Sequence, residues 1–137
     1  MSEQRTPMES TPPRHADEPL LSIDDLQVHF HTEEGTVEAL DGVSLTIGRD
    51  EVLGVIGESG CGKSVTALST MGLLQSPPAE IVGGSITYDG TELLDLSDEE
   101  RNEIRGDEIT MIYQDPMSSL NPVLTIGRQV KEPLLAH

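Results

Sequence analysis

GESGCGKSVT, residues 57–66, decides how the rest of this chain folds. Its first eight residues fit G-x-x-x-x-G-K-[ST], a glycine-rich loop that cradles phosphate groups. Phosphate oxygens carry dense negative charge, and a bare loop satisfies them through backbone N–H groups. Gly57, Gly60 and Gly62 have no Cβ, so the chain can bend around an anion and approach it closely. A helix opening near Lys63 would aim its N-terminal amides and the positive end of its dipole at the same point. Lys63 would add a full charge, and the Ser64 hydroxyl is placed to ligate Mg²⁺. Cys61 sits at a variable position and reads as a small loop residue rather than a nucleophile.

The flanks supply the context such a loop needs. In EVLGVIG (51–57), Val52, Leu53, Val55 and Ile56 form a nearly continuous apolar run, the pattern of a strand covered on both faces in a parallel sheet. After the loop, Val65, Leu68, Met71 and Leu74 recur at helical spacing, and Pro77-Pro78 closes the segment. Upstream, Leu26, Val28 and Phe30 alternate with polar residues, as do Val43, Leu45 and Ile47. A polar turn at 31–35 makes the two strands antiparallel neighbours. Downstream, GGSITYDG places Ile86 and Tyr88 on one face of a strand ending in an Asp89-Gly90 turn. Ser97 with Glu100 is a capping-box signature for a short acidic helix reaching about Arg105. EITMIYQ (108–114) reads as another strand, with Gln114 at its C-terminal end, followed by a loop over 115–122 and a helix over 126–135. Residues 1–18, with three prolines and no apolar period, read as a disordered leader, leaving residues 19–137 as one domain.

Composition narrows the function classes. The chain has 137 residues, with 25 acidic against 8 basic and a formal net charge of −17. That field repels nucleic acid and anionic lipid. The only lysines are Lys63 and Lys131, so one of the two lies where a polyphosphate needs it. An acidic partner-binding protein would show its acids in blocks. Here they are dispersed through a patterned domain, which favours adaptation to a salt-rich (halophilic) cytoplasm. One cysteine excludes an internal disulfide framework and a cysteine-rich metal site. No apolar run approaches a membrane span, and no signal-like segment opens the chain, so it reads as soluble and intracellular. His29 and His31 share a strand face, but no carboxylate or cysteine spacing supports a metal site there.

The loop alone does not choose among kinases, GTPases and transport ATPases. The stretch ITMIYQDPMSSLNPVLTIGRQV (109–130) closely resembles the glutamine loop of ATP-binding cassette (ABC) ATPases. Gln114-Asp115-Pro116 followed by Ser118-Ser119-Leu120-Asn121-Pro122 is similar to the subfamily that powers uptake of dipeptides, oligopeptides and, in some members, nickel. VEALDGVSLTI before the loop and GGSITYDGTELL after it fit that family in order and spacing, so the resemblance covers residues 20–137. It implies an α/β fold, a P-loop NTPase core with an antiparallel β subdomain. It implies ATP and Mg²⁺ as cofactors. Gly57, Glu58, Ser59, Gly60, Cys61, Gly62, Lys63 and Ser64 would hold the phosphates. Val65, where other members carry Thr, would serve the α-phosphate through its backbone only. Phe30 stands where the family stacks an aromatic on adenine, although an inward-packed strand residue is the competing reading. Gln114 would be the catalytic residue of this stretch, reaching Mg²⁺ and the attacking water, with Ser64 as the other metal contact. The loop after it would face transmembrane permease subunits. The implied partners are those permeases, a second ATPase subunit, identical or homologous, and, indirectly, an extracytoplasmic solute-binding protein, with no nucleic acid. The implied location is the cytoplasmic face of the membrane, held peripherally.

Other family elements have no counterpart in these residues. IVGGS (81–85) superficially resembles the signature motif but precedes a strand rather than opening a helix. LLDLSDEE has acids after leucines but too short an apolar run for the buried strand a Walker B acid requires. The expectation is a domain truncated before its signature helix and Walker B strand, binding nucleotide weakly and not turning it over. The leading function is the ATP-binding subunit of an ABC peptide importer. The alternatives are a non-catalytic fragment that binds at most nucleotide or membrane subunits, and an ABC ATPase of another transport system.

Overall fold

A computed structural model describes residues 18–115 and 119–137. The first seventeen residues of the expected leader lie outside them. Four strands form one antiparallel sheet: β1 (Leu21–Thr32), β2 (Gly35–Ile47), β3 (Ala79–Tyr88) and β4 (Thr91–Glu92), in the spatial order β2-β1-β3-β4. The helices are α1 (Lys63–Met71), α2 (Asp98–Ile104) and α3 (Ile126–Ala136), with a 3-10 turn at Leu93–Asp95.

The β1–β2 pairing expected from alternation is present, and beyond the expected Asp89-Gly90 turn the chain continues into β4, which pairs with β3. At the β3–β4 turn Asp89 (φ 45°) and Gly90 (φ 80°) both take positive φ, as a tight two-residue hairpin turn requires. Arg49, just after β2, forms an ion pair with Asp89 and ties the two hairpins together. β1 starts five residues earlier than the Leu26–Phe30 alternation suggested. It passes through a bulge at Asp25 (φ 48°), where the register with both neighbours shifts. The bulge lets Ile23 and Leu26, three apart, face the same core. The Asp25 N–H, freed from the ladder, donates to Ser44 Oγ at 2.9 Å. On the other side Gly84 lies so close that a Cβ would sit 2.4 Å from the Asp25 carbonyl oxygen.

Ile23, Leu26, Val28, Leu40, Ile86 and Leu93 form the buried cluster, with Phe30, Val65, Leu74 and Ile109 packed against it. Each full burial contributes about 1.5–3 kcal/mol. The amphipathic stripe after the glycine loop forms α1, but α1 ends six residues before Pro77. Gly72 (φ 63°) takes the left-handed conformation, and the N–H groups of Gly72 and Leu73 return to Ser69 and Leu68.

Two expected strands are absent as strands. Residues 51–57 and 108–114 join no ladder among the described residues, and Val52, Ile56 and Ile112 are almost fully exposed. A central parallel strand needs hydrogen-bonding neighbours on both edges. Residues 51–57 instead face the sheet across an apolar cavity of about 500 Å³, lined also by α1, Ile109 and Met111.

The α2 capping box is complete: Glu100 N–H donates to Ser97 Oγ at 3.2 Å, and Glu100 Oε2 accepts the Ser97 N–H at 2.8 Å. The backbone bond first, and the side-chain bond second, hold the Glu100 carboxyl below its ordinary value of 4.5. A depressed folded pKa stabilises above the unfolded value and is lost as pH falls through the folded one. Protection of the α2 amides against hydrogen exchange should therefore be flat above about pH 5 and decline on acidification, a decline that Glu100→Gln should flatten.

Candidate functional site

The glycine loop is held on the sheet at one point. Gly62 packs so tightly on β2 that a Cβ there would meet Leu40 Cδ2 at 2.4 Å and the Ala39 carbonyl oxygen at 3.2 Å. Gly60 (φ 82°) and Gly62 (φ 96°) both take left-handed backbone, turning the chain back on itself before α1. Across the loop Gly57 faces Cys61 and Lys63: its added Cβ would fall 2.3 Å from Cys61 Sγ and 3.7 Å from Lys63 Nζ. The Cys61 N–H donates to the Glu58 carbonyl at 3.2 Å. Lys63 Nζ closes the ring by donating to the carbonyls of Gly57 and of Glu58, the latter at 2.9 Å, and lies 3.5 Å from Cys61 Sγ.

α1 begins at Lys63 with Gly62 as its N-cap, which supplies no side-chain acceptor. The first helical bond closes between Thr66 N–H and the Gly62 carbonyl at 2.9 Å. The amides of Lys63, Ser64 and Val65 precede that bond, and the first turn contains no acid to compete for them. The dipole, three uncapped amides and the Lys63 ammonium converge on one spot, which suits an anion of several charges. Thr66, Ser69 and Thr70 turn their hydroxyls back to helix carbonyls. Ser64 instead stands exposed at the mouth.

That mouth opens into a cavity of about 780 Å³ between α1 and residues 111–115 and 119. Lys63 and Ser64 line one side, and Tyr113, Gln114, Asp115 and Ser119 the other. Fifty residues separate Ser64 from Gln114 in sequence, yet they border the same space. A hydroxyl, a carboxamide and an ammonium around one cavity are a donor set fit for a magnesium-bound polyphosphate.

The other sequence candidates fall as follows. Val65 is half-buried against the core cluster, so its backbone is what it can offer an anion. Glu58, Ser59 and Cys61 are exposed on the loop. Phe30 lies half-buried in β1 against the core cluster, paired with Val37 and Ala79, and is not among the residues lining the Lys63–Gln114 cavity. Of residues 115–122, 116–118 lie outside the described residues. His31 Nε2 pairs with Glu80 at 2.6 Å and its Nδ1 with Thr36 at 3.2 Å, a cross-strand tie at the sheet surface. Among the described residues no cluster of three His, Cys, Asp or Glu could hold a metal, and no helix is long and apolar enough to cross a membrane. Tyr113, Asp115 and Ser119 also line the cavity; the sequence assigns none of them to the nucleotide site, although Asp115 and Ser119 stand in the motif that follows Gln114.

The sequence is similar to those of known proteins. A family model described as ABC transporter matches residues 40–134. The chain is 50% identical over 118 residues to a probable peptide ABC transporter ATP-binding protein of Sinorhizobium fredii, covering 86% of this chain and 35% of that protein. It is 48% identical over 122 residues to a dipeptide transport ATP-binding protein of Lactococcus lactis, covering 89% and 35%. An oligopeptide transport ATP-binding protein of Bacillus subtilis is 44% identical over 118 residues, with coverage of 86% and 36%. The chain thus spans about a third of the length of these relatives.

Proposed function

This chain belongs to the ABC transporter family, and from that premise we propose that it forms the ATP cradle of the ATP-binding subunit of a peptide importer. The observation that carries the proposal is the single cavity bordered by Lys63, Ser64 and Gln114. Lys63 exchanges the carbonyls of Gly57 and Glu58 for the β- and γ-phosphates, and the loop amides from Gly57 to Val65 wrap the chain of phosphates. Ser64 and Gln114 would hold Mg²⁺. The ion supplies charge neutralisation for the phosphates when bound. Gln114 senses the γ-phosphate and orients water, and the loop that follows passes its movement to permease subunits. Phe30 keeps part of its side chain outside the core, and that part is the proposed adenine contact. In the whole protein, binding of ATP would join two such subunits at the cytoplasmic face of the membrane, and hydrolysis would part them. A solute-binding protein outside would deliver the peptide to the permeases. The peptide class follows the names of the relatives, all of them peptide transport ATP-binding proteins.

Titrating the chain with ATP in the presence and absence of Mg²⁺ tests this reading. Mg²⁺ is expected to raise affinity, and Gln114→Ala to remove most of that gain, about tenfold for one lost metal contact, while leaving magnesium-free binding unchanged. An equal gain in both proteins would remove Gln114 from the site.

A further inference from the structure

Arg105 lies outside the loop and outside the cavity that holds Ser64 and Gln114, yet it joins the two sides of that cavity from behind. Its Nε donates to the Met71 carbonyl at 2.7 Å and its Nη2 to the Gly72 carbonyl at 2.6 Å, while Nη1 reaches Asn102 Oδ1 at 3.0 Å. The guanidinium fork therefore spans two consecutive carbonyls at the C-terminal end of α1, where the helix dipole favours a cation. The backbone of the same residue bridges to Ile109, and the Gly106 N–H donates to the Ile109 carbonyl at 2.9 Å. Glu108 and Ile109 both donate back to the Ile104 carbonyl, at 2.9 and 3.1 Å. Arg105 is thus fixed at once to the far end of α1 and to the start of the segment that carries Gln114.

Two arms leave this junction for the site. α1 runs from Met71 to Lys63, about 13 Å of helix, and places Ser64 at its end. Residues 109–114 run alongside for at most about 17 Å and place Gln114 at theirs. The root of this second arm is held by the Arg105–Ile109 bridge and the Gly106 and Ile109 backbone bonds, which direct the arm toward the cavity that Gln114 lines. We infer that Arg105 is a positioning residue: by clamping the C-terminus of α1 to the root of the glutamine segment, it sets the separation of Ser64 and Gln114 across the cavity. The inference rests on the reading that those two residues share a Mg²⁺.

The test compares ATP affinity, with and without Mg²⁺, in the full chain and in its Arg105→Ala, Arg105→Lys and Gln114→Ala variants. Arg105→Ala is expected to keep magnesium-free affinity within about twofold and to lose the magnesium-dependent gain, about tenfold. Arg105→Lys keeps the charge but loses the planar fork whose three nitrogens reach Met71, Gly72 and Asn102 at once, so it should retain an intermediate gain. It carries the same comparison if the alanine variant does not fold. An undiminished gain in both Arg105 variants, alongside its loss in Gln114→Ala, overturns the positioning role and leaves the site reading intact. Loss of magnesium-free affinity together with the gain also overturns it, because Arg105 would then merely support the fold. A gain undiminished in Gln114→Ala refutes the site reading and this inference with it.

Discussion

Lys63→Ala should weaken ATP binding about a hundredfold while leaving the chain folded. Among the described residues the ammonium is the one full positive charge lining the cavity at the mouth of α1, and charge-assisted bonds to phosphate are worth about 3 kcal/mol. In the present arrangement Lys63 donates to the carbonyls of Gly57 and Glu58, so binding exchanges two neutral acceptors for charged ones. Its side chain is exposed and joins no core cluster, so the melting temperature should move little. Calorimetric titration beside a thermal melt reads both quantities. A large fall in melting temperature with unchanged affinity would invert the assignment.

Gly62→Ala should act on fold and site together. The φ of 96° is one that L residues adopt at a cost of about 1–2 kcal/mol. The added Cβ would also overlap Leu40 Cδ2 at 2.4 Å, and Leu40 is only 2% exposed, so it cannot swing away. Strain and overpacking together predict about 3 kcal/mol of destabilisation and displacement of the loop from β2. Two other glycines separate the causes. Gly60 has positive φ but open space around its Cβ position, so Gly60→Ala should cost the strain alone. Gly54 has neither constraint, and Gly54→Ala should be near neutral. Denaturant melts of the three variants should rank in that order.

Much of this arrangement is legible locally. The glycine loop, the stripe of α1, the Asp89-Gly90 turn and the Ser97–Glu100 box each rest on residues within one or two turns of one another, and each forms, with α1 stopping at Met71 short of the expected close at Pro77. The bulge at Asp25 is not legible. A pair of aspartates inside a strand reads as a break, and only Ser44 and Gly84, from two other strands, show why it is tolerated. The apolar run at 51–57 states what its side chains prefer to touch, but a strand is defined by backbone partners, and no side-chain pattern specifies whether they are present. Arg105 is hidden for a related reason. Its bonds to Met71 and Gly72 cross more than thirty residues, and at the end of a short acidic helix it looks like a solvated charge.

The proposed function stands on Lys63, Ser64 and Gln114 forming one site for magnesium-bound ATP. Amide and side-chain NMR shifts followed during stepwise addition of ATP and then Mg²⁺ test it most directly. ATP alone should shift the amides from Gly57 to Val65, and Mg²⁺ should then shift the Gln114 side-chain amide together with Ser64. Loop shifts with ATP but a Gln114 side chain indifferent to Mg²⁺ would contradict it.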